Sequence, residues 1–385
     1  MKILMISPYF YPEGGGAEFY MYQIAKKLSK EHEITILCTT KDLSNPPNID
    51  SDFNIGVLGH HFKISTTPIS LTALRDMVSF IKKNDFDLCN INYYLPYFPD
   101  MAALACKICK LPSVLTWHND IYGTGLLRIM STLYNYTLNK ITLNIVDKIV
   151  TPSPYCYRES PILTRFKEKV VWVPPGVDLE KYKKTPNIPI HEKYGIPPDY
   201  KIILFVGVMD KSTTHKGVKT LIEAFKRLNF DKTCLIMVGK GNMIPQYRKY
   251  CQKLNIANKV IFTGFIKEEI LINLYRNSEL LVLPSTTIQE GFGMVLIEAN
   301  ACGKPVIGSK IGGIKYVIRD GETGLLVPPG DPNALANAME RLLEDERLAK
   351  KMGSKGRKMV QKNYTWDRVA KITEKVFERV VYGSS

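Results

Sequence analysis

No apolar run in the 385-residue chain approaches the eighteen or so residues of a membrane helix, so no span is expected. Helix-turn-helix, RNP and zinc-finger patterns are also missing, and no nucleic-acid partner is expected despite a net charge of +15. The eight cysteines are scattered at 38, 89, 106, 109, 156, 234, 251 and 302. Cys106 and Cys109 make the one close pair, and no second pair or nearby histidine completes a zinc site, so idle thiols in a reducing cytosol are expected. The opening KILMISPYFYP meets Glu13 and Glu18 soon after and reads as a first strand rather than a leader.

What is present suits two ordinary globular domains, with 45% hydrophobic and 23% charged residues. The positive charge is uneven. Residues 1–190 carry 21 Lys+Arg against 17 Asp+Glu, a net of +4; residues 191–385 carry 31 against 20, a net of +11. Such a surface favours polyanions, including nucleotide phosphates and anionic lipid headgroups. Part of the excess lies in Lys350–Lys362, which reads as a solvated helix face.

Short apolar strands alternate with amphipathic helices along the chain. KILMISPYF, a glycine loop, the helix AEFYMYQIAKKLSK and the strand EITILCTT make a first βαβ unit. DFDLCNIN, a helix over 100–110, SVLTWH, DKIVTPS and KVVWVP continue it. From Lys201 the rhythm restarts with KIILFVGV, VKTLIEAFKRL, TCLIMVG, VIFTGF and LLVLPS. Alternation of this kind implies parallel sheets covered by helices on both faces, with ligands at the C-terminal strand ends. The expected domains are 1–180 and 181–364, with a last helix at 365–385.

The most informative stretch is PSTTIQEGFGMVLIEANACGKPVIG, Pro284–Gly308. A buried strand runs into a glycine-flanked turn and then the helix Met294–Ala301. Free backbone N–H groups and the helix dipole then face the turn, which makes an anion cradle. Glu290 falls in the loop and Glu298 about two helical turns on, roughly 12 Å away at 1.5 Å per residue. One acid would serve the reacting end of a long ligand and the other a distant polar part. Gly14-Gly15-Gly16 after the first strand, Lys216-Gly217 after the strand KIILFV, and His118 at the end of SVLTW are further polar groups at strand ends.

These motifs resemble those of the retaining glycosyltransferases of family 4, and the resemblance runs from end to end of the chain. It implies the α/β GT-B fold, two doubly wound Rossmann-like domains facing each other across a cleft, with the last helix crossing back to the first. Glu290 and Glu298 match the family's E-x7-E pair: Glu290 by the donor sugar, Glu298 accepting from ribose hydroxyls. The backbone amides of Phe292, Gly293, Met294 and Val295 would lie near sugar and phosphate. Lys216 matches the lysine on the donor diphosphate, and His118 the histidine that reaches the sugar hydroxyls. Gly15 and Gly16, with Glu18, fit the loop that closes over the donor phosphate; Phe265 and Ile266 fit the loop that holds the base. The family often has an arginine where this chain has Val208, and Lys211, or His215 if protonated, is offered as the replacement cation. Asp120 would orient His118 or cap the next helix.

Activity is therefore expected as transfer of a sugar from a nucleotide-diphosphate-sugar to a hydroxyl of a glycan or lipid-linked acceptor. Retention of configuration and no metal cofactor are expected as well. Asp50-Ser51-Asp52 has the letters of the metal-binding Asp-x-Asp motif but stands in a polar loop, far from any strand-end phosphate loop. Two other readings stay open: a nucleotide-sugar epimerase or hydrolase of the same fold, and a non-catalytic accessory subunit. The cytoplasm is the expected location. Leu126–Val146, long and apolar with only Arg128 and Lys140 charged, leaves two readings open: a helix buried in the first domain, or peripheral contact with the inner membrane face.

Overall fold

A computed structural model describes residues 1–12, 15–40, 53–64, 66–121 and 126–383. The chain forms two compact units, Met1–Pro175 with Trp366–Ser385, and Gly176–Thr365. Gly14 of the glycine loop and the Asp50–Asp52 segment lie outside the described residues.

The first unit is built on β1 (Lys2–Ile6), β2 (Glu33–Thr40), β3 (Asn54–Gly59), β4 (Phe62–Ile64), β5 (Thr67–Ile69), β6 (Leu88–Tyr93), β7 (Ser113–Trp117), β8 (Lys148–Thr151) and β9 (Val170–Trp172). Seven of these form one sheet in the order β3-β2-β1-β6-β7-β8-β9, and β4 and β5 pair as a separate antiparallel ribbon. Every pairing in the seven-stranded sheet is parallel. Helices cover both faces of such a sheet, which is why β6 is buried at all six positions, Asn90 and Asn92 included. The chain runs outward from β1 to β3, then returns to place β6 on the other side of β1. The switch point therefore lies between β1 and β6.

The last helix, Trp366–Tyr382, completes this unit by packing on the helix Gly16–Leu28. The Trp366 ring meets Phe19 and Tyr20 edge-on at centroid distances of 6.0 and 5.8 Å. Lys27 donates to Asp367 at 2.8 Å, and the His32 ring lies 2.6 Å from Glu374.

The second unit holds β10 (Lys201–Val206), β11 (Thr233–Val238), β12 (Val260–Gly264), β13 (Leu280–Leu283), β14 (Val306–Ser309) and β15 (Gly324–Val327) in the order β12-β11-β10-β13-β14-β15. All five pairings are parallel, and the switch point lies between β10 and β13. Strand periodicity splits the core in two: Ile203 and Phe205 of β10 enter one buried cluster, Ile202 and Leu204 the other. Burial of each such side chain contributes about 1.5–3 kcal/mol.

Two features depart from the sequence reading, and the cysteines match it. The strand β3, the β4–β5 ribbon and the helix Ala73–Lys83 occupy a stretch that gave no element beforehand. Leu126–Val146 breaks at Thr137 into the helices Leu126–Tyr136 and Leu138–Ile145. All eight cysteines are free thiols, six of them buried.

Candidate functional site

In the second unit the polar groups gather at the C-terminal ends of β10 and β13, on either side of the switch point. Lys216 ends the short turn Lys211–Lys216 that follows β10; Glu290 lies in the loop between β13 and the helix Met294–Ala301. Lys216 Nζ donates to Glu290 Oε2 at 2.7 Å, with side chains 20% and 14% exposed. The two residues are 74 positions apart in sequence, and only the strand order brings them together.

The loops are fixed by backbone contacts. Thr286 N donates to the His215 carbonyl at 2.7 Å, which ties the Glu290 loop to the Lys216 turn. Gly217, at φ +72°, follows Lys216; a Cβ there would lie 1.9 Å from the Pro284 carbonyl oxygen. Both the left-handed backbone and the contact exclude any side chain. Gly313 N donates to the Glu290 carbonyl at 2.9 Å, and a Cβ on Gly313 would lie 1.9 Å from the Gly291 oxygen. The pair Gly312-Gly313 thus clamps the loop that carries Glu290. Gly239-Lys240-Gly241 acts likewise on the turn after β10: Gly207 N donates to the Val238 carbonyl and Met209 N to the Lys240 carbonyl, both at 2.9 Å.

Phe292 is buried and packs edge-on against Tyr364 at 5.8 Å, which anchors the glycine turn to the core. Gly293 precedes the helix, and Met294 and Val295 open it, half-buried, with first-turn amides that have no partner within the helix. Ser285 Oγ and Ser309 Oγ, just after β13 and at the end of β14, are buried without a protein partner among the described residues. Sequence reasoning did not single them out.

Glu298 has different surroundings from Glu290. It is half-buried and accepts a 2.6 Å bond from Tyr275 Oη. Burial pushes its carboxyl above the usual range, against the lowering effect of the Tyr275 bond. Phe265 stands 81% exposed after Gly264 at the end of β12, with half-buried Ile266 beside it. Lys211 is exposed, and its amide donates to Asn242 Oδ1 at 3.0 Å. His215 does not fit the role of a second cation: burial and then the Lys216 charge push its pKa down, outweighing the opposite pull of Glu290.

In the first unit the switch point is occupied by Asn92 at the end of β6. Its Oδ1 faces His118 Nε2 at 2.5 Å, while its Nδ2 donates to Ser7 Oγ at 3.1 Å and to the Ala17 carbonyl at 3.4 Å. An amide oxygen there requires the proton on Nε2, so His118 presents a lone pair on Nδ1. Tyr20 and Tyr94 flank the imidazole edge-on at 5.5 and 6.3 Å. Burial pushes its pKa down to about 3, so it is neutral at physiological pH. Asn92 thus holds His118, while Asp120 accepts from Ser160 Oγ at 2.8 Å. The signal for Asn92 was available: Asn90 and Asn92 put two amides on one face of an otherwise apolar strand.

Gly15 precedes the helix that Gly16 begins, but the Gly15 amide is engaged by Glu18 Oε2 at 2.7 Å. That bond fastens the loop to its own helix. Asp85-Phe86-Asp87 also has the Asp-x-Asp spacing and escaped the sequence reading. Asp87 accepts from the Lys2 amide at 2.7 Å, at the N-terminal edge of the sheet, opposite the strand ends that carry His118.

Comparison with known proteins identifies the family. The family profile described as Glycosyltransferase Family 4 matches residues 14–181, and that described as Glycosyl transferases group 1 matches 187–359. D-rhamnosyltransferase WbpZ of Pseudomonas aeruginosa is 31% identical over 294 residues, covering 76% of this chain and 72% of that protein. O-antigen chain mannosyltransferase C of Escherichia coli is 28% identical over 373 residues, 96% of each. Among solved structures, Anabaena HepE in complex with UDP superposes with a TM-score of 0.78 over 98% of this chain and 100% of that one, at 19% identity. The chain belongs to the GT-B glycosyltransferases of the family 4 type.

Proposed function

We propose that this glycosyltransferase transfers a sugar from a nucleotide-diphosphate-sugar to a hydroxyl of a glycan or lipid-linked acceptor, with retention of configuration and without a metal. The observation that carries the reading is the Lys216–Glu290 pair at the second switch point. Breaking the bond between the anomeric carbon and the diphosphate oxygen leaves an electron pair on that oxygen. A fixed ammonium and first-turn amides stabilise this charge more in the transition state than in the ground state. Lys216 supplies the ammonium, and the Gly293–Val295 turn supplies the amides. The acceptor oxygen bonds to the anomeric carbon on the face the diphosphate leaves, and its proton passes to a diphosphate oxygen.

Glu290 holds Lys216 in place through their 2.7 Å contact. With donor bound, Lys216 turns to phosphate and Glu290 serves the sugar. Glu298 takes the ribose hydroxyls, the Phe265–Ile266 segment takes the base, and neutral His118 accepts from a sugar hydroxyl. Lys211 adds charge toward the diphosphate, and the Gly15–Gly16 loop borders the acceptor. No helix among the described residues is long and apolar enough to cross a membrane. We place the enzyme in the cytoplasm, where nucleotide-sugars are supplied.

The test is a thermal-shift panel of UDP, GDP, ADP and their sugar conjugates. A true donor raises the unfolding temperature by mass action, and Lys216→Ala abolishes the shift. Product NMR reads the anomer, and EDTA reads metal dependence. Inversion of the anomer, loss of activity with EDTA, or donor turnover without any acceptor each overturns the corresponding part of the proposal.

A further inference from the structure

The helix Leu126–Tyr136 is inside out. Two of its polar side chains face the protein: Tyr134 Oη donates to buried Asp100 at 2.8 Å and lies 2.9 Å from Tyr93 Oη, and Asn135 Nδ2 donates to the Ile121 carbonyl at 3.0 Å. Apolar side chains face out, with Ile129 68%, Leu133 64% and Tyr136 66% exposed. Spacing of i, i+4 and i+7 aligns these three on one stripe, and Met130 and, on the following helix, Ile141 widen the apolar surface. A soluble helix orients its stripes the other way.

Single exposed apolar residues need no explanation. Here, however, five of the fifteen large hydrophobics exposed among the described residues fall within thirteen positions, which marks an interaction surface. Ser131 and Thr132 point their hydroxyls at the Arg128 carbonyl, so the helix satisfies its own polar groups on this side.

Charge identifies the partner. Residues 126–146 contain Arg128 and Lys140 and no acid. A groove of about 190 Å³ between this helix pair and residues 161–166 is lined by Lys140 and Arg165, again with no acid, beside Thr132 and Asn135. That volume is too small for a drug-sized ligand but has room for a phosphate group. An apolar stripe flanked by cations is the pattern of a helix lying in a bilayer interface.

We infer that the Leu126–Tyr136 face docks the protein on a membrane containing anionic phospholipid, with Ile129, Leu133 and Tyr136 in the acyl boundary and Lys140 and Arg165 on headgroup phosphates. This deepens the lipid-linked acceptor reading proposed above, and it is tested without donor, acceptor or turnover, so either can fail alone.

The experiment is co-sedimentation of the full chain with vesicles of phosphatidylcholine plus phosphatidylglycerol, and with phosphatidylcholine alone. Wild type binds the anionic vesicles and much less the neutral ones. Ile129→Ser combined with Leu133→Ser weakens binding by roughly thirtyfold or more. Lys140→Glu combined with Arg165→Glu removes the preference for anionic vesicles. Because all four side chains are exposed, the unfolding temperature and the nucleotide thermal shift stay at wild-type values and report an intact fold. Wild type that ignores both vesicles, or serine variants that bind as wild type, overturns the inference. Light scattering covers the remaining occupant: a dimer that the serine pair dissociates would assign the face to a second copy.

Discussion

At the second switch point a cation and a carboxylate lie 2.7 Å apart; at the first, Asn92 joins a neutral imidazole to a serine hydroxyl and a backbone carbonyl. Both sheets are parallel and both sites lie at C-terminal strand ends, so topology does not account for the contrast. Side-chain chemistry does. The charged site suits a leaving group that gains negative charge; the neutral one suits sugar hydroxyls, which need donors and acceptors rather than a field. One architecture thus offers two electrostatic environments, and each can be perturbed separately.

The largest effect is expected at the charged site. Lys216→Ala lowers kcat/KM by roughly 10³-fold, since a preorganised charge on the leaving group is lost, and Glu290→Ala abolishes transfer. Steady-state kinetics decide this; near-wild-type rates in both variants would remove the charged half of the comparison. Next comes the scaffold of that site. Gly217→Ala must relieve a 1.9 Å contact with the Pro284 oxygen at positive φ. We expect at least about 1 kcal/mol of destabilisation, a fall of roughly 2–4 °C in calorimetric Tm. An unchanged Tm would show that the loop is looser than the contact implies.

Glu298→Ala sharpens the comparison within the second unit. Its carboxylate is partnered by Tyr275 rather than by a cation, so donor KM rises roughly tenfold while kcat changes little. A kcat loss as large as that of Glu290→Ala would place both glutamates on the reacting atoms.

The smallest effect concerns pH. His118 has a folded pKa near 3 against the usual 6.5, so between these values the unfolded chain binds a proton that the folded chain does not. Its contribution to stability is full above about 6.5 and is lost as pH falls toward 3. Asp100 and Glu298, raised by burial, slope the other way and are common to wild type and variant. Urea unfolding across this range should therefore show a shallower acid loss in His118→Gln than in wild type. Parallel slopes would mean that His118 is more hydrated than its surroundings suggest.

Much of this was legible in the sequence. Runs such as KIILFV and TCLIMV are apolar at nearly every position because parallel strands are buried on both faces, and they matched β10 and β11 closely. The helix start at Met294, and with it the loop position of Glu290 and the helix position of Glu298, followed from the glycine turn. The Lys216–Glu290 contact did not, because strand order joins residues that no local pattern connects. Asn92 hid inside a buried strand, and Asp120 looked the better partner only because it stands closer to His118 in sequence. For Leu126–Tyr136 the composition was plain but the orientation was not; the Tyr134–Asp100 bond decides which side faces in.

The position of Trp366–Tyr382 bears on the order in which the molecule can be made. Chains usually fold from the N-terminus as they leave the ribosome. Here the first unit needs a helix that is synthesised after the whole second unit, and Phe19, Tyr20 and Lys27 wait for partners more than three hundred residues downstream. The second unit, continuous from Gly176 to Thr365, has no such debt. During translation the later-made half can be finished first, and the earlier one closes only after Trp366–Tyr382 has been made.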